Sequence, residues 1–376
     1  MEFILAAGIL ETLLLLLLLV SKKNKELHDK FLIGYLALIG LTLLLSIGEI
    51  YNRQHAYPFP FLISASTPLI LLHGPVLWFY IYSLTKPNFT FRRFHLLHLL
   101  PFTGVLLILV KQVYLLPVDV KIDLEITESF KKMWAYPVVM LCIAISTQAY
   151  LIWGIFMIRN HQKNIKHIYA ETQKLDLSWL KSLLICSIIC YASISAIYLT
   201  DYSIQLLPYG SMQIVGFSIA ALYIFFLGFF GLRQGKVFVN YPNEKVSDKD
   251  SNENIPEDLN RAYTNEVKRL LAFMDENKPF LEPSINLTSL SRLLNMNADN
   301  LSNILNTQLN MNFFDFINHY RIQEFKVLVK KADLKKHTII GIAWDCGFNS
   351  KATFNRQFKN STGLTPTQFV KKVSSK

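Results

Sequence analysis

Ile339-Ile-Gly-Ile-Ala-Trp-Asp-Cys-Gly347-Phe-Asn-Ser350-Lys-Ala-Thr-Phe354-Asn-Arg356-Gln-Phe358-Lys-Asn-Ser-Thr-Gly363-Leu-Thr-Pro366 decides how the C-terminal part of the chain folds. Ile339, Ile342 and Ala343 share one face of a short helix, which Gly347 breaks at a left-handed C-terminal position. Ser350 caps a second helix whose inward face is Phe354 and Phe358 at i,i+4. Gly363 ends that helix, and Pro366 sits in the first turn of a last short one. Two short helices joined by a tight turn form a helix-turn-helix unit, here at about residues 338–361.

The same pattern recurs upstream, at about residues 286–308. Asn286 caps a helix through Leu294, with Leu287, Leu290, Leu293 and Leu294 inward; Asn295-Met296-Asn297 turns the chain. A second short helix, Ala298 to Gln308, turns Leu301, Ile304 and Leu305 inward. A long helix over Phe313–Lys331 joins the two units. Before them, Asp258–Asn277 is helical in period, with Val267, Leu270, Leu271 and Met274 on one face. That face can pack on the first unit or pair two protomers.

The second unit resembles the AraC/XylS family of bacterial transcription regulators. The match rests on Ile342-Ala343, Gly347-Phe348, Ser350, Phe354, Arg356, Phe358-Lys359, Gly363, Thr365-Pro366 and Phe369. Phe316-Ile317-Asn318 and Tyr320-Arg321-Ile322 are similar to the family's linker helix, and the resemblance covers about Pro279 to Lys372. One departure is Phe369-Val370, where a Tyr-Arg pair is common. The resemblance implies two recognition helices that enter successive major-groove faces of double-stranded DNA, about one turn apart.

The residue types suit such reading unevenly. The second recognition helix offers Lys351, Ala352, Thr353 and Arg356 on its outward face. Arg356 can bond guanine bidentately or contact phosphate, and Thr353 can meet a thymine methyl or a base edge. The first offers Asp299, Asn300, Ser302, Asn303 and Asn306, with no basic residue. Asn303 can pair with adenine and Asp299 can accept from cytosine, but Asp299 also repels phosphate. Phosphate candidates are Lys351, Lys359, Arg292 and Arg321, the last of which can instead brace the two units, as the resemblance suggests. Lys330, Lys331, Lys335 and Lys336 form a basic cluster that reads as solvated.

The rest of the chain has a different character. Of 376 residues, 52% are apolar and only 17% charged, against roughly a quarter charged in soluble domains. The net charge is +11. Seven apolar runs meet the length of about 20 residues that a spanning helix needs. They are Phe3–Val20, Phe31–Ile50, Phe61–Leu84, Phe94–Val113, Trp134–Ile158, Trp179–Leu199 and Ser211–Leu232. The first lacks a basic leader and a small-residue cleavage site, so it reads as a retained helix. One set of loops carries Lys22, Lys23, Lys25 and Lys30; Lys86, Arg92 and Arg93; Arg159, Lys163, Lys166 and Lys174; and Arg233 and Lys236. The alternate loops carry only Arg53, Lys121, Lys131 and Lys132. The positive-inside rule then places the N-terminus outside and the C-terminus in the cytoplasm. Gly74-Pro75, Tyr80, Ser83-Leu84, Pro87 and His98 before Pro101 resemble the seven-span half fused to such regulators in some bacteria.

Polar groups inside spans mark candidate sensing positions because each is costly if unpaired. Glu11, His73 and Gln148 are such groups, with Glu11 and His73 expected to pair, and Glu49 and Arg53 read as solvated at span ends. His95 and His98 share a helix face but lack further ligands for a metal. By the resemblance, His98 is a fold or signalling position. Cys186 and Cys190 sit at i,i+4 and read as small apolar residues, and none of the four cysteines suggests a disulfide framework. No catalytic motif occurs, and no cofactor or metal is expected.

The sequence therefore predicts an all-α protein of three parts. Residues 1–236 form a seven-helix transmembrane bundle in the cell inner membrane, 237–257 an acidic linker, and 258–376 the DNA-binding domain. The function read is a membrane-tethered, sequence-specific transcription regulator, with RNA polymerase, a second copy and a signal ligand as further partners. The alternatives are a transporter or membrane enzyme with a regulatory DNA-binding tail, and a factor released by proteolysis within the linker.

Overall fold

The computed structural model describes residues 2–86, 89–173, 175–204, 208–232, 257–331 and 337–374. The expected acidic linker therefore lies, up to residue 256, outside the described residues, as do Pro87, Lys174, Arg233, Lys236, Lys335 and Lys336. All regular structure among the described residues is helical, in fifteen α-helices and a few short 3-10 and π segments, with no strand. Two compact units emerge: residues 1–159 with 177–237, and residues 160–176 with 238–376. The second differs from the contiguous division expected, because it takes in the segment between the fifth and sixth apolar runs.

The first unit carries α1 (Glu2–Ser21), α2 (Leu27–Gln54), α3 (Thr67–Thr85), α4 (Leu100–Leu109), α5 (Val118–Ile126), most of α6 (Ala135–Ile165), α7 (Ser178–Ile204) and α8 (Tyr209–Leu232). Each of the seven apolar runs carries a helix. Among the described residues, five helical stretches are long and apolar enough to cross a membrane: Leu27–Gln54, Thr67–Thr85, Arg93–Tyr114, Ala135–Ile165 and Ser178–Tyr202. The core packs α2 against α1, α3 and α8, and α7 against α8, through Leu36, Leu43, Leu77, Ile81, Leu184 and Ile224. The opposite faces are just as apolar. Leu10 is 70% exposed, Leu107 69% and Ile145 66%. Helices apolar on every side have no polar face to turn to water. Gly74 allows α3 to approach α6, since a Cβ there would meet the Tyr150 ring at 2.8 Å.

Two polar expectations change in this unit. Glu11 and His73 do not pair: His73 is hydrogen-bonded to the Thr42 hydroxyl and the Tyr191 hydroxyl, each at 3.0 Å. Glu11 Oε2 is buried with no hydrogen-bond partner. Glu49 and Arg53 are not both solvated span ends. Glu49 is 6% exposed and accepts from the Ser66 amide at 2.7 Å and from Gln213 Nε2. Arg53 donates to Gln213 and to Glu125 of α5, both at 2.8 Å. The stretch read as an outer loop folds as α5 and supplies that carboxylate. Gln148 donates to the Ile188 carbonyl at 3.3 Å, and His98 is hydrogen-bonded to the Tyr150 hydroxyl at 2.7 Å.

The second unit holds α9 (Glu257–Asn277), α10 (Leu287–Leu293), α11 (Ala298–Asn303), α12 (Phe313–Lys331), α13 (Ile339–Asp345), α14 (Lys351–Thr362) and α15 (Pro366–Ser374). Local chemistry sets most boundaries. Asn286, Thr338 and Ser350 each accept an amide hydrogen bond at a helix start, satisfying one of the donors a helix leaves open there. The last residues of the expected Ala298–Gln308 helix relax into a wider turn over Ile304–Gln308. Leu293 points out and is 57% exposed, where an inward position was expected.

Helix α12 serves two cores. Phe313, Phe316 and Ile317 pack with Leu290, Leu301, Ile304 and Leu305 of the first helix-turn-helix. Ile322, Phe325 and Val329 pack with Ile342, Phe348, Phe354 and Phe358 of the second. Leu270 and Met274 of α9 are fully buried in the first core, so that apolar face is spent within the domain. Val370, at the position where the sequence departs from the family pattern, is buried in the second core.

Candidate nucleic-acid interface

Arg321 sits where the two cores meet on α12 and is fully buried. Its Nε donates to the Phe280 carbonyl at 2.8 Å and its Nη2 to the Glu282 carbonyl at 2.9 Å. The guanidinium lies 5.7 Å from the centre of the Phe348 ring. Burial lowers its pKa to about 10, and the Glu171 carboxylate is the first charge opposing that shift. Arg321 is thus a brace, and its burial removes it from the residues able to touch phosphate. Gly347 closes the same junction: its φ is +88°, and a Cβ would lie 2.4 Å from the Phe280 carbonyl oxygen. Beside it, burial pushes the Cys346 thiol up to about 12, which makes it an inert packing group.

Helix α14 presents an open face. Lys351, Ala352, Arg356 and Lys359 are exposed, and so is Asn355 between them. Asn355 escaped the sequence reading, although the spacing 351, 355, 359 at i,i+4 steps would have placed it there. Thr353 was expected to face outward and does not; it is 2% exposed. On α11, Asp299, Asn300, Asn303 and the following Asn306 are exposed. Ser302 was also expected outward but is 7% exposed, and accepts from Asn306 Nδ2 at 3.3 Å. One residue per helix was misplaced because each lies at the margin of its buried face, where a period alone is ambiguous.

What covers Thr353 comes from far away in the chain. The segment between α6 and α7 enters this unit and makes main-chain contacts with it. The Leu287 amide donates to the Ile168 carbonyl at 2.8 Å, and the Phe314 amide to the Lys166 carbonyl at 2.9 Å. Both donors sit in the first turns of helices, where amides lack partners within the helix. Tyr169 pairs with Asn286 in an isolated antiparallel bridge, Ala170 is fully buried in the first core, and Asn318 Nδ2 donates to the Ala170 carbonyl at 3.1 Å. Beyond Ala170, Glu171 Oε1 accepts from the Thr353 hydroxyl at 3.0 Å, and the Gln173 side-chain oxygen accepts from the Ser350 hydroxyl. Sequence reading saw only lysines that orient a membrane loop.

Among the described residues, no group of three or more His, Cys, Asp or Glu side chains is placed to hold a metal ion. No curated protein and no solved structure matches the chain. Residues 290–372 match the family model described as a helix-turn-helix domain, a span that runs from α10 into α15 and takes in α11 and α14. That match supports a DNA-binding transcription regulator of the AraC type, in agreement with the residues that carry the resemblance.

Proposed function

We propose that the chain is a membrane-tethered, sequence-specific transcription regulator that couples a signal received in or across the inner membrane to promoter binding. The open face of α14 carries the DNA-binding part of this reading. In the major groove, Arg356 suits the two acceptors of guanine and Asn355 the acceptor–donor pair of adenine. Lys351 and Lys359 flank them and suit phosphate. Helix α11 reads with Asn300 and Asn303, and its Asp299 keeps its grip weaker. RNA polymerase and a second copy of the chain are the protein partners this role calls for.

The tether rests on the outward leucines of the first unit, which suit lipid and would be a liability in water. His73, bonded to Thr42 and Tyr191 between α2, α3 and α7, is the polar position best connected for sensing. Genome-wide mapping of bound DNA, with immunoblots of membrane and soluble fractions, tests the whole reading. Full-length protein in membranes together with discrete promoter peaks is the expected result. Peaks carried only by a shorter soluble fragment would replace tethering with release, and no enriched sites would remove the DNA-binding reading.

A further inference from the structure

We propose that Glu171 and Gln173 act as an internal stand-in for DNA phosphate, holding the start of α14 and competing with the duplex for it. The inference rests on the DNA-binding reading above and adds how that surface is controlled.

The contact is made where DNA contact is expected. Ser350 is the N-cap of α14, and Thr353 is its third residue. A helix N-terminus carries open amides and a partial positive charge, and so favours an anion. Serine and threonine hydroxyls and helix N-termini are regular phosphate ligands in protein–DNA complexes. Here the Thr353 hydroxyl donates to a carboxylate and the Ser350 hydroxyl to an amide oxygen, so both donors are already taken. The open face of α14 begins beside this contact, at Lys351 and Ala352. A duplex brought up to Arg356 would meet Glu171 and Gln173 at the near end of the helix.

Glu171 Oε2 and Arg321 Nη1 are both buried and without a hydrogen-bond partner among the described residues. The Glu171 carboxylate is the first charge acting on the buried Arg321 guanidinium, yet no ion pair or hydrogen bond joins the two side chains.

The attachment also suits a movable tip. Residues 166–170 are held by main-chain bonds and by buried Ala170, whereas residues 171 and 173 reach α14 by side chains alone. Thr172 between them is buried, so release of the tip would uncover that side chain as well. The base of the segment continues into α6 and its far end, bonded through the Leu175 and Asp176 carbonyls to His161 and Gln162 of α6, leads into α7. A signal that moved those two helices would expose or cover the start of α14.

The test uses the full-length chain in detergent with two probes, a duplex recovered by genome-wide mapping and a random-sequence duplex of equal length. Glu171→Gln keeps the shape of the side chain and removes its charge; Glu171→Ala removes both. Each should bind the mapped duplex about tenfold more tightly, the scale of one lost charge-assisted hydrogen bond. Hydrogen exchange on the wild-type chain is the second readout: saturation with the mapped duplex should raise exchange at residues 171–173 and leave 166–170 protected. Wild-type affinity in both variants, or exchange at 171–173 that DNA does not change, overturns the proposal. Failure of the wild-type chain to prefer the mapped duplex over the random one instead overturns the DNA-binding reading beneath it.

Discussion

Replacing Arg321 with alanine separates a brace from a phosphate ligand. The side chain makes two hydrogen bonds from a charged donor to main-chain carbonyls, of Phe280 and Glu282. Bonds of that kind are worth about 1.5–3 kcal/mol each, so the pair accounts for about 3–6 kcal/mol. The whole stability of a small domain is about 5–15 kcal/mol. For about a hundred residues each kcal/mol moves Tm by about 4–8 °C, so Arg321→Ala should lower it by at least about 12 °C. Arg321→Met, which retains an apolar stem over Phe348, isolates the polar part of that loss. Hydrogen exchange of the full-length protein, read at the α12 amides, measures the effect without isolating the domain. Unchanged protection of α12, together with a salt slope of DNA affinity smaller by about one, would refute the brace and make Arg321 a phosphate contact.

Three further substitutions address the surfaces. Arg356→Ala should cost about 1–3 kcal/mol on the mapped duplex and relax its base preference; an equal loss on every duplex would assign the side chain to phosphate. Lys359→Ala should reduce the salt slope by about one unit, and an unchanged slope would remove it from the phosphate contacts. Leu107→Arg sets a charge on an outward apolar face of α4 and should cost about 2.5–3.5 kcal/mol of membrane insertion. Undiminished recovery in the membrane fraction would show that this face does not meet lipid.

Most of the second unit was legible from the sequence because its signals are local. A cap residue, a turn and a helical apolar period fall within about ten residues, so Asn286, Ser350, Gly347 and the bounds of α12 could be read directly. The apolar runs of the first unit were legible for the same reason. The misreadings of the first unit involve partners distant in the chain. Glu49 meets Gln213 and Arg53 meets Glu125, and no period links residues so far apart. Glu11 and His73 looked like partners because both were polar and central in their spans, but His73 had nearer hydroxyls in Thr42 and Tyr191. Thr353 and Ser302 lie at the margins of their helices' buried faces, where the period is ambiguous and a small hydroxyl residue suits either side. The segment at residues 160–176 gave no sign of its destination: a main chain that caps other helices does so with carbonyls, which every sequence possesses.

That segment changes what counts as the DNA-binding domain. A cut within residues 237–257 would free a C-terminal piece that leaves part of itself behind. The amides of Leu287 and Phe314 would lose their acceptors, and the first core would lose Ala170. Such a fragment would be a domain with a missing part, and would gain stability if residues 160–176 were supplied as a separate peptide. On the membrane-bound reading proposed above, the tether would be more than a leash fixed to one end of a finished reader: the chain before the linker helps to build the reader, and severing the two would cost the reader some of its own fold.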